Sequence, residues 1–109
     1  MTITISAKDF KLTPSIKEFV TTKLEKLGKY HSKLQRIGVE LDVDHNVTKG
    51  KKYRVQVWAY LPGVTVEAGL KAEHMEEAID LVYPKLERQL VKLKEKKRSI
   101  AVRRQQRVA

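Results

Sequence analysis

The chain has 109 residues, of which 23 are Lys or Arg and 13 are Asp or Glu, and its formal net charge is +10. This length fits one domain with a modest hydrophobic core. The absence of cysteine excludes disulfides, thiolate zinc sites and cysteine nucleophiles. No apolar run approaches the roughly 18 residues of a membrane span, and the first ten residues lack the pattern of a signal peptide. We therefore expect a cytoplasmic protein.

A strand, a helix and a second strand are predicted in the first part of the chain. Residues 2–8 alternate polar and apolar side chains, which is the period of a half-buried strand. Thr13 is a typical N-cap and a proline follows it at the first helical position, so a helix is predicted over residues 14–27. Gly28 is expected to end this helix in the left-handed conformation. Residues 36–44 alternate again and predict the next strand.

Two further strands and a long helix are predicted after residue 52. Alternating apolar residues predict strands on either side of a tight turn at Pro62 and Gly63. Apolar residues at three-to-four spacing predict a helix over residues 74–98, and residues 99–109 lack this period and are expected to form a basic, flexible tail. The order β-α-β-β-β-α predicts an α+β domain over residues 1–98, in which a four-stranded sheet carries both helices on one face. The first crossover should be right-handed.

A catalytic or metal site is not expected. The three histidines lie on separate predicted elements, and the sequence contains neither a phosphate-cradling glycine loop nor a nucleophile elbow. No pair of carboxylates is forced into an apolar pocket by the pattern, so no general acid and base can be assigned. We therefore expect no enzyme activity, no metal, no cofactor and no small-molecule substrate.

The aromatic residues Trp58 and Tyr60 are predicted on the open side of the sheet, because they alternate with Val55 and Val57. Aromatic residues on a sheet face stack bases in one common RNA-binding fold. The signature of that fold has glycines between its aromatics, whereas residues 52–55 contain none. The pattern therefore favours packing or partial exposure without a ligand.

Positive charge is concentrated at the C-terminal end of the chain. Residues 85–107 contain ten basic and two acidic residues, a net +8, whereas residues 1–84 contain 13 basic and 11 acidic residues, a net +2. A block of this density indicates a polyanionic partner, with nucleic acid first and an anionic membrane second. The simpler alternative is a solvated helix end followed by a solubilising tail.

The basic residues of the last predicted helix share one flank. At about 100° per residue they lie roughly a quarter to a third of a turn from the apolar face. They are Lys85, Arg88, Lys92 and Lys96. The first helix has a weaker flank of Lys26, Lys29 and Lys33, with Lys23 at the edge of the apolar stripe. If the helices pack side by side, these flanks could form one surface for the phosphates of folded RNA. Membrane binding would instead need large exposed apolar residues beside the cations, and the apolar stripe is expected to be in the core.

Two segments of the sequence resemble the ribosome hibernation promoting factor family, also called the ribosome-associated translation inhibitors. The first segment is Leu12-Thr13-Pro14-Ser15-Ile16-Lys17-Glu18-Phe19-Val20, continuing to Lys23-Leu24-Glu25-Lys26-Leu27. The second comprises Met75, Ala78-Ile79-Asp80 and Lys85-Leu86-Glu87-Arg88-Gln89-Leu90, followed by Lys92, Lys94 and Lys96. The likeness covers about residues 1–98. The predicted element order agrees with the family's fold, which is similar to double-stranded-RNA-binding domains.

The resemblance implies a protein that silences ribosomes under stress and is not an enzyme. Family members bind the small ribosomal subunit between head and body, contact its rRNA, and cover the messenger path and the tRNA sites. The family's rRNA-facing positions fall on Lys23, Lys26, Lys85, Arg88, Lys92, Lys94 and Lys96, and we add Lys29 from the flank of the first helix. The expected partners are the small subunit and whole ribosomes, and the protein should be a monomer away from the ribosome.

The sequence departs from the family's pattern at two positions and in length. Glu76 stands where the family has Tyr after Met75, and Pro84 stands where it has Asp or Asn. A proline inside a helix removes a hydrogen bond and usually causes a kink, at a cost of ~3 kcal/mol or more. We expect no counterpart of the dimerisation domain of long-form members, so the resemblance implies the short form. The basic tail is closer to that of members that promote ribosome pairing. Two alternatives stay open: a generic module for structured RNA, and a protein-interaction domain with an acidic partner.

Overall fold

The computed structural model describes residues 1–29, 31–46 and 49–108, and the side chains of these residues up to Leu93. The element order is β-α-β-β-β-α, as predicted: β1 (Thr2–Lys8), α1 (Pro14–Leu24), β2 (Arg36–Val43), β3 (Tyr53–Leu61), β4 (Val64–Ala72) and α2 (Met75–Val108). A 3-10 helix, Glu25–Lys29, directly follows α1. The predicted α+β class is confirmed.

The four strands form one mixed sheet in the order β1-β2-β3-β4. β1 pairs with β2 in parallel, whereas β2 with β3 and β3 with β4 are antiparallel. Parallel neighbours need a crossover connection, and α1 provides it. The two antiparallel pairs are joined along the chain as hairpins, so the sheet needs only one helix between strands.

The sheet has one apolar face, and both helices pack on it. On β3, Val55, Val57 and Ala59 have no exposed surface, whereas Arg54 is exposed and Trp58 is half-buried on the opposite face. This alternation is the two-residue period of a strand with one face in the core. The fully buried helix side chains that meet this face include Val20, Leu24, Ile79, Val82, Leu86 and Leu90.

The first helix begins as predicted but ends differently. The Thr13 hydroxyl accepts a hydrogen bond from the backbone N–H of Ile16 at 3.3 Å, as expected of an N-cap. At the other end the chain tightens from α1 into the 3-10 helix, and Gly28 lies within it without a positive φ. The prediction of a left-handed stop at Gly28 was therefore wrong. Tighter bonds in a last 3-10 turn satisfy carbonyls that a left-handed cap would otherwise satisfy.

The turn between β3 and β4 consists of Pro62 and Gly63, and Leu61 pairs with Val64 across it. Gly63 has a φ of +75°, which glycine adopts without steric cost. The ring of Pro62 fixes φ at the first of the two turn positions. This turn fixes the register of the hairpin, which places Trp58 opposite Glu67.

The second helix is longer than predicted. It begins at Met75 and continues through Pro84 to Val108 instead of ending at residue 98. No Gly or other Pro follows Pro84 in the chain, so the local sequence contains no strong helix breaker. Pro84 is exposed, and it has no N–H to donate to the carbonyl of Asp80. The division into a domain over residues 1–98 and a flexible tail over 99–109 stays a prediction.

Replacing Leu86 by alanine tests how strongly α2 depends on the core. Leu86 has no exposed surface, and Leu→Ala changes at such sites cost ~2–5 kcal/mol. Leu81, on the same helix, is 47% exposed, so Leu81→Ala is the matched control and should change the free energy of unfolding by less than ~0.5 kcal/mol. Urea denaturation followed by circular dichroism measures both. Equal losses of stability would contradict the assignment of the buried face.

Candidate nucleic-acid interface

The second helix presents exposed cations on the side that turns away from the core. Leu86 and Leu90 are fully buried and thereby fix the rotation of α2 about its axis. At about 100° per residue, Lys85, Arg88 and Lys92 then fall within a sector of about 60°. All three are exposed, and we call them the α2 cationic row.

The charges of the α2 cationic row face solvent. Four ion pairs occur among the described side chains, and none of them includes Lys85, Arg88 or Lys92. Glu87 lies between them in sequence but about 100° or more away around the helix from each. Three positive charges within about 10 Å of helix axis are therefore available to an anionic partner.

The α2 cationic row lies along the border with the outer strand β4. The side-chain amide of Gln89 donates a hydrogen bond to the backbone carbonyl of Glu67 at 3.0 Å, which holds this flank of α2 against β4. Gln89 lies only about 40° to 100° around the helix from the three cations. Lys92 also lines a shallow cavity at this border together with Val66 and Gln89.

Lys23 lies in a different place, where α1 meets α2. Its ammonium nitrogen is 3.2 Å from a carboxylate oxygen of Asp80 and 5.3 Å from the centre of the Tyr83 ring. The Lys23 side chain is 31% exposed and that of Asp80 is 51% exposed. Ion pairs at such surfaces contribute modestly to stability. The charge of Lys23 is therefore held between the helices and is partly neutralised.

The sequence predicted one charged surface across both helices, but Lys23 does not lie on the same surface as the α2 cationic row. Its partners Asp80 and Tyr83 lie about 80° to 180° around α2 from the cationic row. The first helix therefore packs on one flank of α2, and the row lies towards the other flank, beside β4. Helical periodicity places a cation relative to the buried face of its own helix, but it does not say on which flank the partner helix packs.

The remaining predicted cations are exposed or lie outside the described residues. Lys26 and Lys29 are exposed on the 3-10 helix, and Lys33 is exposed in the following turn. None of these three takes part in an ion pair within the described part of the chain. The side chains of Lys94 and Lys96 lie outside the described residues. Contact of any of these cations with rRNA stays a prediction.

Three residues that shape these surfaces were not found from the sequence. Asp80 partly neutralises Lys23, Gln89 holds one flank of α2 against β4, and Arg36 lies over the Tyr60 ring at 4.3 Å from its centre. Each interaction joins elements that are distant in the chain. Asp80 lies about 80° around the helix from the nearest buried side chain of the apolar stripe, so the helical period alone does not mark it as a partner for α1.

Taken together, the mixed sheet, the two helices on one face and the exposed row define a basic α+β domain with one charged helix flank. The chain belongs to the family described as Sigma 54 modulation protein / S30EA ribosomal protein, whose model matches residues 3–98. The family predicted from the two sequence segments is thereby confirmed.

Relatives of this chain are named ribosome hibernation factors. The "Ribosome hibernation promotion factor" of Picosynechococcus sp. is 34% identical over 97 residues, and the "Ribosome hibernation promoting factor" of Escherichia coli strain K12 is 31% identical over 96 residues. Each match covers 88% of this chain. The chain spans 50% of the Picosynechococcus protein and 96% of the Escherichia coli protein.

Two solved structures share the fold. A ribosomal subunit interface protein from Coxiella burnetii has a TM-score of 0.77 and 25% identity, and the match covers 87% of this chain and 99% of that one. The N-terminal domain of Thermus thermophilus Protein Y has a TM-score of 0.70 and 24% identity, with 84% and 94% covered. The similarity to double-stranded-RNA-binding domains stays a prediction.

The described residues offer neither a membrane-spanning helix nor a cluster of metal ligands. Within residues 1–29, 31–46 and 49–108, no helix combines the length and apolar character that crossing a membrane requires. The same part of the chain contains no group of three or more histidines and carboxylates that could hold a metal ion.

Replacing Asp80 by asparagine removes the negative charge beside Lys23 and keeps the shape of the side chain. Because both partners are partly exposed, the free energy of unfolding should fall by no more than ~1 kcal/mol. A double-mutant cycle with Lys23→Gln measures the coupling between the two residues, which should weaken as salt is added. A coupling above ~3 kcal/mol would show that the pair behaves as a buried one.

Proposed function

We propose that this protein binds the small ribosomal subunit through phosphates of its rRNA, blocks the messenger path and the tRNA sites, and represses translation under stress. The observation that carries the proposal is the α2 cationic row, which is exposed and has no carboxylate partner among the described side chains. The family and the names of the relatives support a role in ribosome hibernation.

The geometry of the row suits a nucleic-acid backbone. Spacings of three and four residues separate successive cations by about 4.5 and 6 Å along the helix axis. The buried face of α2 keeps these positions fixed before binding, so binding costs little backbone freedom. Contacts to phosphates set the position of a protein without reading sequence. Such a row is therefore suited to folded RNA, which proteins recognise mostly by shape.

The three cations of the row differ in what they can do. The planar guanidinium of Arg88, in the middle, can donate two parallel hydrogen bonds to one phosphate group. The ammonium groups of Lys85 and Lys92 are compact charges on flexible stems. Arg88 therefore sets the orientation of the phosphate backbone, and the two lysines add attraction on either side.

Lys23 contributes less than the row in this proposal. A phosphate must compete with the Asp80 carboxylate, 3.2 Å away, before Lys23 can contact it. Lys26 and Lys29 are exposed and supply the contribution of the first half of the chain. The domain thus acts as a charged plug that competes with mRNA and tRNA for one phosphate-lined channel. No bond is formed or broken in this mechanism, so it needs no catalytic group.

Reversing the charge of Arg88 and Lys92 to glutamate tests the proposal. The double variant should lose inhibition of cell-free translation and should no longer sediment with small subunits, because two positive charges at the interface become two negative ones. The matched control is Lys11→Glu with Lys17→Glu, which changes the net charge equally at two exposed positions outside the row. The control should keep both properties.

The salt dependence of binding separates the outcomes. The slope of log affinity against log salt should become shallower by about one for each phosphate that the variant no longer neutralises. Unchanged inhibition after charge reversal would remove the row from the mechanism. An equal loss of inhibition in the control variant would mean that the net charge of the protein, and not the position of the row, explains the result. Binding to structured RNA without sedimentation on ribosomes would indicate a generic RNA-binding module instead.

A further inference from the structure

The face of the sheet opposite the helices carries a shallow groove that the proposed ribosome contacts do not use. Its volume is about 230 Å³. It lies across β1, β2 and β3, and its lining includes Thr4, Ser6, Arg36, Trp58, Tyr60 and the backbone at Gly38. The α2 cationic row lies on the other side of the sheet, so the two surfaces are physically separate.

Gly38 creates the floor of this groove. It pairs with Trp58 across β2 and β3, on the open face of the sheet. A Cβ atom at Gly38 would lie 3.6 Å from a ring carbon of Tyr60 and 3.8 Å from a ring carbon of Trp58. Both half-buried rings therefore lean over backbone that carries no side chain.

Arg36 adds a fixed positive charge at one end of the groove. Its guanidinium carbon is 4.3 Å from the centre of the Tyr60 ring, which is a cation–π contact. Arg36 is exposed and pairs with Tyr60 across the two strands. The guanidinium therefore covers one face of the Tyr60 ring, and its N–H groups can still donate to an anionic oxygen.

The polarity of the groove indicates the ligand. The described residues that line it include no carboxylate. Thr4 and Ser6 are among them, and the Ser6 hydroxyl donates a hydrogen bond to the backbone carbonyl of Val39 at 3.4 Å. Glu67, opposite Trp58, lies on the side away from β2. A ligand that fits must therefore be flat and aromatic, carry polar edges, and bring a negative charge towards Arg36. A nucleotide has these three properties, whereas an apolar peptide has no charge for Arg36.

We propose that this groove binds one nucleotide of single-stranded RNA. The base stacks on Trp58, its edge meets Thr4 and Ser6, and its phosphate pairs with Arg36, which the Tyr60 ring holds in place. Stacking on aromatic side chains is how proteins hold unpaired bases, and every base offers a face for it. This site goes beyond the proposed function, because it takes unpaired bases while the α2 cationic row takes the backbone of folded RNA.

Trp58 is the single tryptophan of the chain, so its fluorescence reports on this groove alone. Titration with hexaadenylate should quench the emission in a saturable way. Tyr60→Ala, which removes the ring that holds Arg36, and Arg36→Gln should each weaken the apparent affinity by roughly 10-fold, the range for loss of one hydrogen bond to a charged group. Lys17→Gln, which removes one exposed charge outside the groove, should leave the affinity unchanged.

An abasic oligomer of the same length and charge separates stacking from general attraction. It should not quench Trp58, since it has no base to stack. Quenching by the abasic oligomer, no quenching by hexaadenylate, or equal affinity of all the variants would each overturn the proposal. A shift of Trp58 emission with protein concentration alone would do so too, because it would mean that a second copy covers this face.

Folding and ribosome binding are measured beside the titration. Circular dichroism checks that Tyr60→Ala and Arg36→Gln are folded, and Tyr60→Phe, which keeps the ring, should restore the affinity if the first variant fails to fold. Sedimentation of Arg36→Gln with ribosomes is recorded separately. Failure of the groove to bind hexaadenylate can therefore be told apart from failure of the proposed ribosome contact.

Discussion

Burial of one face of α2 against the sheet is the constraint that decides where the charges of this protein act. Leu86 and Leu90 have no exposed surface, and their packing allows the helix only one rotation about its axis. Every cation on α2 then has a fixed direction, because side-chain angles on a helix are set by its period. The charged surface is thus a product of the hydrophobic core. A sequence with the same net charge but an unanchored helix would present the same cations in many arrangements, and a partner would have to select among them.

The sequence predicted the elements, their order and the buried faces because these follow from local periods. Alternation along β3 predicted that Val55 and Val57 face the helices and that Trp58 faces away, and the structure confirms both. The predictions that were not met concern the ends of the helices and the tertiary packing between elements. Gly28 joined a 3-10 turn instead of ending a helix. The contact of Lys23 with Asp80 depends on how two helices meet, which no local period encodes. The cations of α2 were found correctly, whereas their surroundings, β4 on one flank and α1 on the other, needed coordinates.

The two faces of the sheet carry different side chains because only one of them packs against the helices. The face towards the helices is apolar and forms the sheet side of the hydrophobic core. The open face is not part of the hydrophobic core, so it can hold an aromatic pair, an arginine and a glycine side by side. Ion pairs among Arg54, Glu40 and Asp42 occupy the rows further along the same face. The aromatic end and the charged end therefore differ in character although the same strands build both.

The hydrogen bond from Gln89 also limits how this sheet can grow. Outer strands offer unpaired backbone groups to which another chain can add. On β4 the carbonyl of Glu67 already accepts a bond from α2, so an incoming strand meets an occupied acceptor and the side of a helix. A strand that adds along β4 must therefore first displace the Gln89 amide from the Glu67 carbonyl, so this side-chain contact protects the edge of the sheet as well as fixing α2.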